Sequence, residues 1–214
     1  MIRAIHPATV PPTVRYIPNF ITPDEENEII KRVTSSPLPK WTQLSHRRLQ
    51  NWGGIPHPKG MIAEEIPEWL AKYVQKVSDL QVFEDKRTPN HVLINENTYN
   101  GPLFHPIVTT ISCGSHTLLD FYKRNETDRE APELEFSLLL ERRSLLILED
   151  DLYHNYLHSI AEIHSDIISD KNIMNIELCG QKYTENEEMQ RGTRISLTIR
   201  HVPKTSRLKL RLGR

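Results

Sequence analysis

The chain has 214 residues, with Lys plus Arg at 27 against Asp plus Glu at 28, a formal net charge of −1 and 37% hydrophobic residues. At about 150 residues per domain the length fits one domain, large enough to bury a core without disulfide or metal staples. The charge balance excludes a globally basic nucleic-acid coat and an acidic tail protein, though not a local basic patch. With a mean hydropathy of −0.52, no run approaches the roughly 18 apolar residues of a membrane helix, so no membrane contact is expected. The Met1 to Pro7 stretch has no apolar signal core. Two cysteines, Cys113 and Cys179, are too few for a disulfide framework. A reducing cytoplasmic and nuclear location and a monomeric state are expected.

Helix signals come first. Thr22-Pro23-Asp24-Glu25 reads as a capping box with Pro in the first turn, opening a helix to about Thr34 with Ile29, Ile30 and Val33 toward the core. A second helix is predicted from Glu68 to Leu80, where Trp69, Leu70, Tyr73, Val74 and Val77 recur at helical spacing. From about residue 90 the texture becomes strands: His91–Ile94, Ile107–Ser112 with a Gly114-Ser115 turn, Thr117–Tyr122, a hairpin of Phe136–Leu140 with Ser144–Leu148 around Glu141-Arg142-Arg143, and Arg194–Val202. Residues 123–134 read as a loop and 160–188 as a polar insertion. Helices followed by many short strands, with no alternation of strand and helix, predict an α+β domain on an antiparallel sandwich or barrel.

The last strand carries the strongest chemical signal. Arg194, Ser196, Thr198 and Arg200 alternate with Ile195, Leu197 and Ile199, so a period of two puts all four polar residues on one face. Two guanidinium groups turned inward are costly without an anionic partner, and a dicarboxylate suits them. The pattern alone equally fits an edge strand with a solvated polar face.

Arg-Ile-Ser-Leu-Thr-Ile-Arg (194–200) resembles the closing strand of the AlkB-type dioxygenases. The segments 89–95 and 109–122, Ser137 to Glu141, Tyr156 to Ile160, and Trp41 to Leu44 with Arg47 to Gly54 resemble further motifs of that family in the same order. The resemblance spans about residues 15–203 and is nearest to the alkB homolog 6 branch. It implies a double-stranded β-helix (jelly-roll) core with N-terminal helices, and oxidation dependent on Fe(II) and 2-oxoglutarate. The implied layout is an N-terminal helical and nucleotide-recognition lid region over 1–88, a core over 89–203 with the polar insertion at 160–190, and a basic tail over 204–214. Family substrates are N-alkylated nucleobases or protein side chains. Carried over by position, Arg194 and Arg200 grip the two ends of 2-oxoglutarate, Ser196 lines the same face and His158 is the distal iron ligand. Asn97 and Tyr99 match an Asn-x-Tyr motif that touches 2-oxoglutarate, although Asn95 also holds the place after the strand.

The chain departs from the family at one point. It runs from Asn100 directly into Gly101-Pro102-Leu103-Phe104, where the family carries a Gly-rich turn and the His-x-Asp that supplies two of three iron ligands. Catalysis by this chain is therefore not expected, and no catalytic residue is assigned. The alternative is a non-catalytic nucleic-acid or protein-binding module. His164-Ser165-Asp166 is a literal His-x-Asp but follows His158, and reads better as a surface His with a capping Asp. His105 lacks a carboxylate two residues on. His116 reads as structural and His154 as exposed. Cys113 and Cys179 lack zinc-ligand spacing. Nucleic-acid contact is expected through Arg47, Arg48 and Trp52, with Trp41 nearby, and through the tail; a solvated loop with a packed Trp fits the same residues.

Overall fold

The computed structural model describes residues 13–44, 47–83, 87–96, 107–123, 133–149, 152, 155–168 and 173–206. The elements are, in chain order, β1 (Val14–Ile17), α1 (Pro23–Thr34), β2 (Thr42–Gln43), β3 (Arg48–Trp52), β4 (Met61–Ile62), α2 (Glu68–Ser78), β5 (His91–Glu96), β6 (Val108–Cys113), β7 (Thr117–Lys123), β8 (Leu134–Leu140), β9 (Leu145–Leu148), β10 (Tyr156–Ser159), β11 (Ser165–Ile167), β12 (Glu188–Gln190), β13 (Ile195–Arg200) and β14 (Thr205–Ser206). Both predicted helices are present, the second ending two residues short of Leu80. Around α1 the capping box is formed: Thr22 Oγ1 accepts from the Glu25 N–H at 3.2 Å, and the Glu25 carboxylate accepts from the Thr22 N–H at 2.8 Å.

Ten of these strands form two facing sheets, and the rest make two short pairs, β11-β12 and β14-β4. The large one runs β1-β9-β6-β13-β5-β3-β2 and the small one β10-β7-β8. Strands of the 1–88 region thus enter the same large sheet as the core. The predicted hairpin of β8 with β9 does not exist: β8 pairs β7 in the small sheet, while β9 pairs β1 and β6 in the large one. The Glu141–Ser144 turn is an arch carrying the chain from one sheet to the other. β6 and β7 are joined by a second arch at Gly114-Ser115. The first takes its residue at φ 64 from Arg143 and the second from Gly114 at φ 83. A Cβ on Gly114 would lie 2.4 Å from the Thr193 carbonyl oxygen, so the second arch admits only glycine. Adjacent strands that alternate in hydrophobicity look alike whether they pair or arch, which is why periodicity misread this connection.

Each face of the large sheet has its own partner. Val92, Ile94, Ile111, Cys113, Ile195, Leu197 and Ile199 pack against Ile29 and Val33 of α1 and Leu70, Tyr73 and Val77 of α2. On the other face Val14, Tyr16, Leu146 and Leu148 meet Leu119, Phe121, Phe136 and Leu138 of the small sheet. The small sheet's outer face is covered by the stretch that looked only polar: Ile168 and Ile173 pack on Leu139. Asn175 there accepts from the Leu139 N–H and donates to its C=O, both at 2.8 Å, so its amide closes the free edge of β8.

One buried carboxylate ties a helix to both arches. Glu26, on the core face of α1, accepts from Arg142 at 3.1 and 2.9 Å, from Arg143 at 3.3 Å and from the Gly114 N–H at 2.8 Å. Burial pushes its carboxyl up, but these donors outweigh burial and hold it below the ordinary 4.5. Glu26→Gln removes the charge while keeping the shape, and should cost about 2–3 kcal/mol, the range for a hydrogen bond to a charged group. Because the folded carboxyl is the stronger acid, this contribution is complete above pH 4.5 and is lost as pH falls through the folded value. Thermal melts across pH 3–7 read both effects, and equal melts for Glu26→Gln and the parent would reject the anchor.

Candidate functional site

β13 lies at the middle of the large sheet, with β6 on one side and β5 on the other. Its register sets Ser196 opposite Asn95 and Ser112, Thr198 opposite Leu93 and Thr110, and Arg200 opposite His91. β3 adds Leu49 opposite Asn95 and Asn51 opposite Leu93. Directly opposed residues share a face, so Asn51, His91, Asn95, Ser112, Arg194, Ser196, Thr198 and Arg200 form a continuous polar floor on the inner face of the large sheet. The apolar half of the same interior lies beyond it, at β9 and β1.

The floor is buried and cationic. Arg194 is 5% exposed and Arg200 3%, which rejects the solvated edge strand. No acidic residue among those described is placed on this face by the strand register. Arg194 donates from Nη2 to Ser112 Oγ at 2.9 Å, and Arg200 donates from Nε to His91 Nδ1 at 3.1 Å. Burial brings the Arg194 guanidinium down to about 10, so it stays charged at neutral pH. Burial first, and then the positive charge of Arg200, push the His91 imidazole down to about 3, so it is neutral there.

Four more atoms describe what the floor accommodates. Asn95 Oδ1 and Nδ2, Ser196 Oγ and Thr198 Oγ1 are buried with no hydrogen-bond partner among the described residues. Each such group costs about 1–3 kcal/mol, and native interiors rarely keep several together. An amide and two hydroxyls between two guanidinium groups fit a small dicarboxylate: the cations meet its charges and the orphaned groups complete its oxygens. The residues present therefore fit 2-oxoglutarate.

The described residues do not fit iron. His158 lies on β10 of the small sheet, opposite the core residue Phe121, with ring centroids 6.0 Å apart. Among the described residues no group of three His, Cys, Asp or Glu is placed to hold a metal. The spacing-based substitute is used otherwise. Asp166 accepts from Arg191 Nε at 2.6 Å and Nη2 at 2.5 Å, and His164 is exposed. His116 Nε2 stands 3.3 Å from Asp166 Oδ2 but is not aligned as a hydrogen bond. Burial pushes the Asp166 carboxyl up, and His116 and Arg191 outweigh this and hold it below 3.8. Asp166 is thus a structural anion that fastens the insertion.

Of the residues read from sequence, Arg194, Ser196 and Arg200 converge on the floor, while His158 stands on the facing sheet. Asn97, Tyr99, His105 and His154 lie outside the described residues, as do residues 207–214 of the tail. Asn95, weighed against Asn97, sits on the floor. His91 and Asn51 went unassigned; extending the period of two from Arg200 across the register to β5 would have found His91. Arg48 pairs with Glu96 and lies 4.2 Å over Trp41, while Trp52 packs on the core under Lys40 at 4.0 Å. These aromatic groups pack in the fold.

No protein-family model matches the sequence. Among curated proteins, "Probable RNA/DNA demethylase ALKBH6" of Danio rerio is 50% identical over 218 aligned positions, covering 95% of this chain and 92% of that protein. "Uncharacterized protein L905" of Acanthamoeba polyphaga mimivirus is 26% identical over 202 positions, covering 88% and 84%. Among solved structures, that of OsALKBH1 matches with a TM-score of 0.51 at 14% identity over 94% of this chain and all of that one, a likeness of fold.

The neutral imidazole on the floor has a measurable consequence. His91 resists protonation in the folded chain down to about pH 3, whereas the unfolded imidazole takes a proton near 6.5. Stability therefore falls as pH drops below 6.5, by at most about 1.4 kcal/mol per pH unit for this one proton. Melts between pH 7 and 5 should show a shallower decline for His91→Gln than for the parent; parallel declines would mean that His91 is protonated in the fold.

Proposed function

The chain belongs to the AlkB-type family of 2-oxoglutarate-dependent iron oxygenases, in its ALKBH6 branch, and we propose that it keeps the family's dicarboxylate site while lacking turnover. The observation that carries this reading is the buried floor with two guanidinium groups and orphaned amide and hydroxyl atoms. Arg194 and Arg200 supply the charge for the two carboxylates, and Ser196, Thr198 and Asn95 complete the hydrogen bonding. When bound, 2-oxoglutarate would supply, as in this family, two of the four electrons that reduce O2, being itself oxidised to succinate and CO2. In this chain the floor's part is to bind and orient the acid away from water.

Loss of turnover follows from the residue set. Only His158 stands at a family ligand position, and the family's His-x-Asp has no counterpart between Asn100 and Gly101. A single imidazole does not replace a facial triad, since loss of even supporting partners weakens metal sites 10- to 100-fold or so. Alkylated nucleic acid or protein is the substrate class proposed for the branch. Contact with nucleic acid is proposed through Arg47, Arg48, Trp52 and the basic tail, and is the non-catalytic role left to a chain without turnover.

Two measurements test this. Calorimetry without metal should detect 2-oxoglutarate, and Arg200→Ala should weaken it by about 30-fold or more, the loss expected when a buried charge pair is broken at roughly 2 kcal/mol or above. Anaerobic titration with Fe(II), or Mn(II) as a redox-silent stand-in, should show no stoichiometric site, and turnover assays no succinate. One-to-one metal binding with succinate formation, abolished by Asp166→Ala or by His105→Ala, would overturn the inactive reading and name the ligands that rebuild the centre.

A further inference from the structure

His91 begins β5 and is fully buried, yet the dicarboxylate reading gives it no contact with ligand or metal. Its two ring nitrogens are both engaged. Nδ1 is 3.1 Å from Arg200 Nε, and Nε2 is 3.1 Å from Asn51 Oδ1. A guanidinium Nε–H only donates, so Nδ1 accepts, which requires the tautomer protonated at Nε2. Nε2–H then donates to Asn51. The bonds therefore run one way, Arg200 to His91 to Asn51, across three neighbouring strands.

We propose that His91 is a positioning residue that orients the Arg200 guanidinium for a dicarboxylate without neutralising it. The inference rests on the dicarboxylate reading and goes beyond it. The common device for fixing an arginine is a carboxylate, as Asp166 fixes Arg191 and Glu26 fixes Arg142 in this same chain. A carboxylate at position 91 would fix the guanidinium equally well and cancel its attraction for an incoming anion. A protonated imidazole would repel the guanidinium instead. A neutral imidazole accepts the Nε–H, fixes the plane of the fork and leaves the net charge of the floor unchanged. Asn51, itself neutral, locks the tautomer that allows this. The floor keeps its preference for a dianion because its second layer contributes geometry and no charge.

The experiment compares three variants in the full chain, with 2-oxoglutarate titrated calorimetrically and melts recorded without ligand. His91→Gln retains a neutral acceptor and should bind within about 3-fold of the parent. His91→Ala removes the acceptor of the Arg200 Nε–H and should bind about 10-fold more weakly, the equivalent of about 1.4 kcal/mol. His91→Glu should melt no lower than His91→Ala, because it pairs with Arg200, yet bind at least about 30-fold more weakly than the parent. A purely structural role predicts that affinity follows stability through the series; the proposal predicts that they separate at Glu. Should Glu fail to fold, rescue of the Ala loss by Gln decides alone. Equal affinities for Gln and Ala, or for Glu and the parent, overturn the inference while Arg200→Ala still reports on the dicarboxylate site. A parent that shows no binding at all overturns both.

Discussion

Everything in this molecule turns on the central strand β13 and its two unlike faces. Strands on both sides saturate its backbone, and helices cover its Ile195, Leu197 and Ile199 face. Nothing short of a second layer across the sandwich makes the opposite face, with Arg194 and Arg200, a buried one. Moving two guanidinium groups out of water is costly, so the fold must be strong elsewhere to hold them. That strength comes from the double-sided packing of the large sheet, largely apolar on the helix side and apolar on the inner side at β9 and β1.

The buried charges elsewhere in the chain are satisfied differently. Glu26 collects two arginines and a backbone N–H where both arches meet α1. Glu141 accepts from the Tyr16 hydroxyl at 3.0 Å, from the Tyr183 hydroxyl at 2.9 Å and from the Gly180 N–H at 2.7 Å. Asp166 takes both arms of Arg191. Each anion joins segments distant in sequence and has its donors within the protein. On the floor the signs reverse: two buried guanidinium groups lie beside an amide and hydroxyls that have no hydrogen-bond partner among the described residues. That contrast distinguishes a site from a brace.

The arches explain how the floor comes to be enclosed. At Gly114-Ser115 and at Glu141–Ser144 the chain leaves one sheet and enters the other, so consecutive strands face each other across the interior. The stretch from Ile160 onward then seals the outside of the small sheet, with Asn175 completing the edge of β8. The outer face of the small sheet is thereby covered at Leu139, and His158 stands in β10 opposite Phe121.

The order of residues alone determined a good part of this. The capping box at Thr22, the helical recurrence in α2 and the alternation of β13 are local patterns, set by side chains within a few residues of one another, and the motif order carried the family resemblance. That Gly101 follows Asn100 directly is likewise read from the sequence. The tertiary structure decided what depends on contacts across the chain: whether β8 and β9 pair or arch, that both faces of β13 are buried, that Asp166 belongs to Arg191, and that Trp41 and Trp52 pack in the fold. His91 shows the difference most clearly. In the sequence it is one apolar strand's first residue; only the register that sets it opposite Arg200, 109 positions away, makes it part of a site, because a ring nitrogen takes its role from the donor that reaches it.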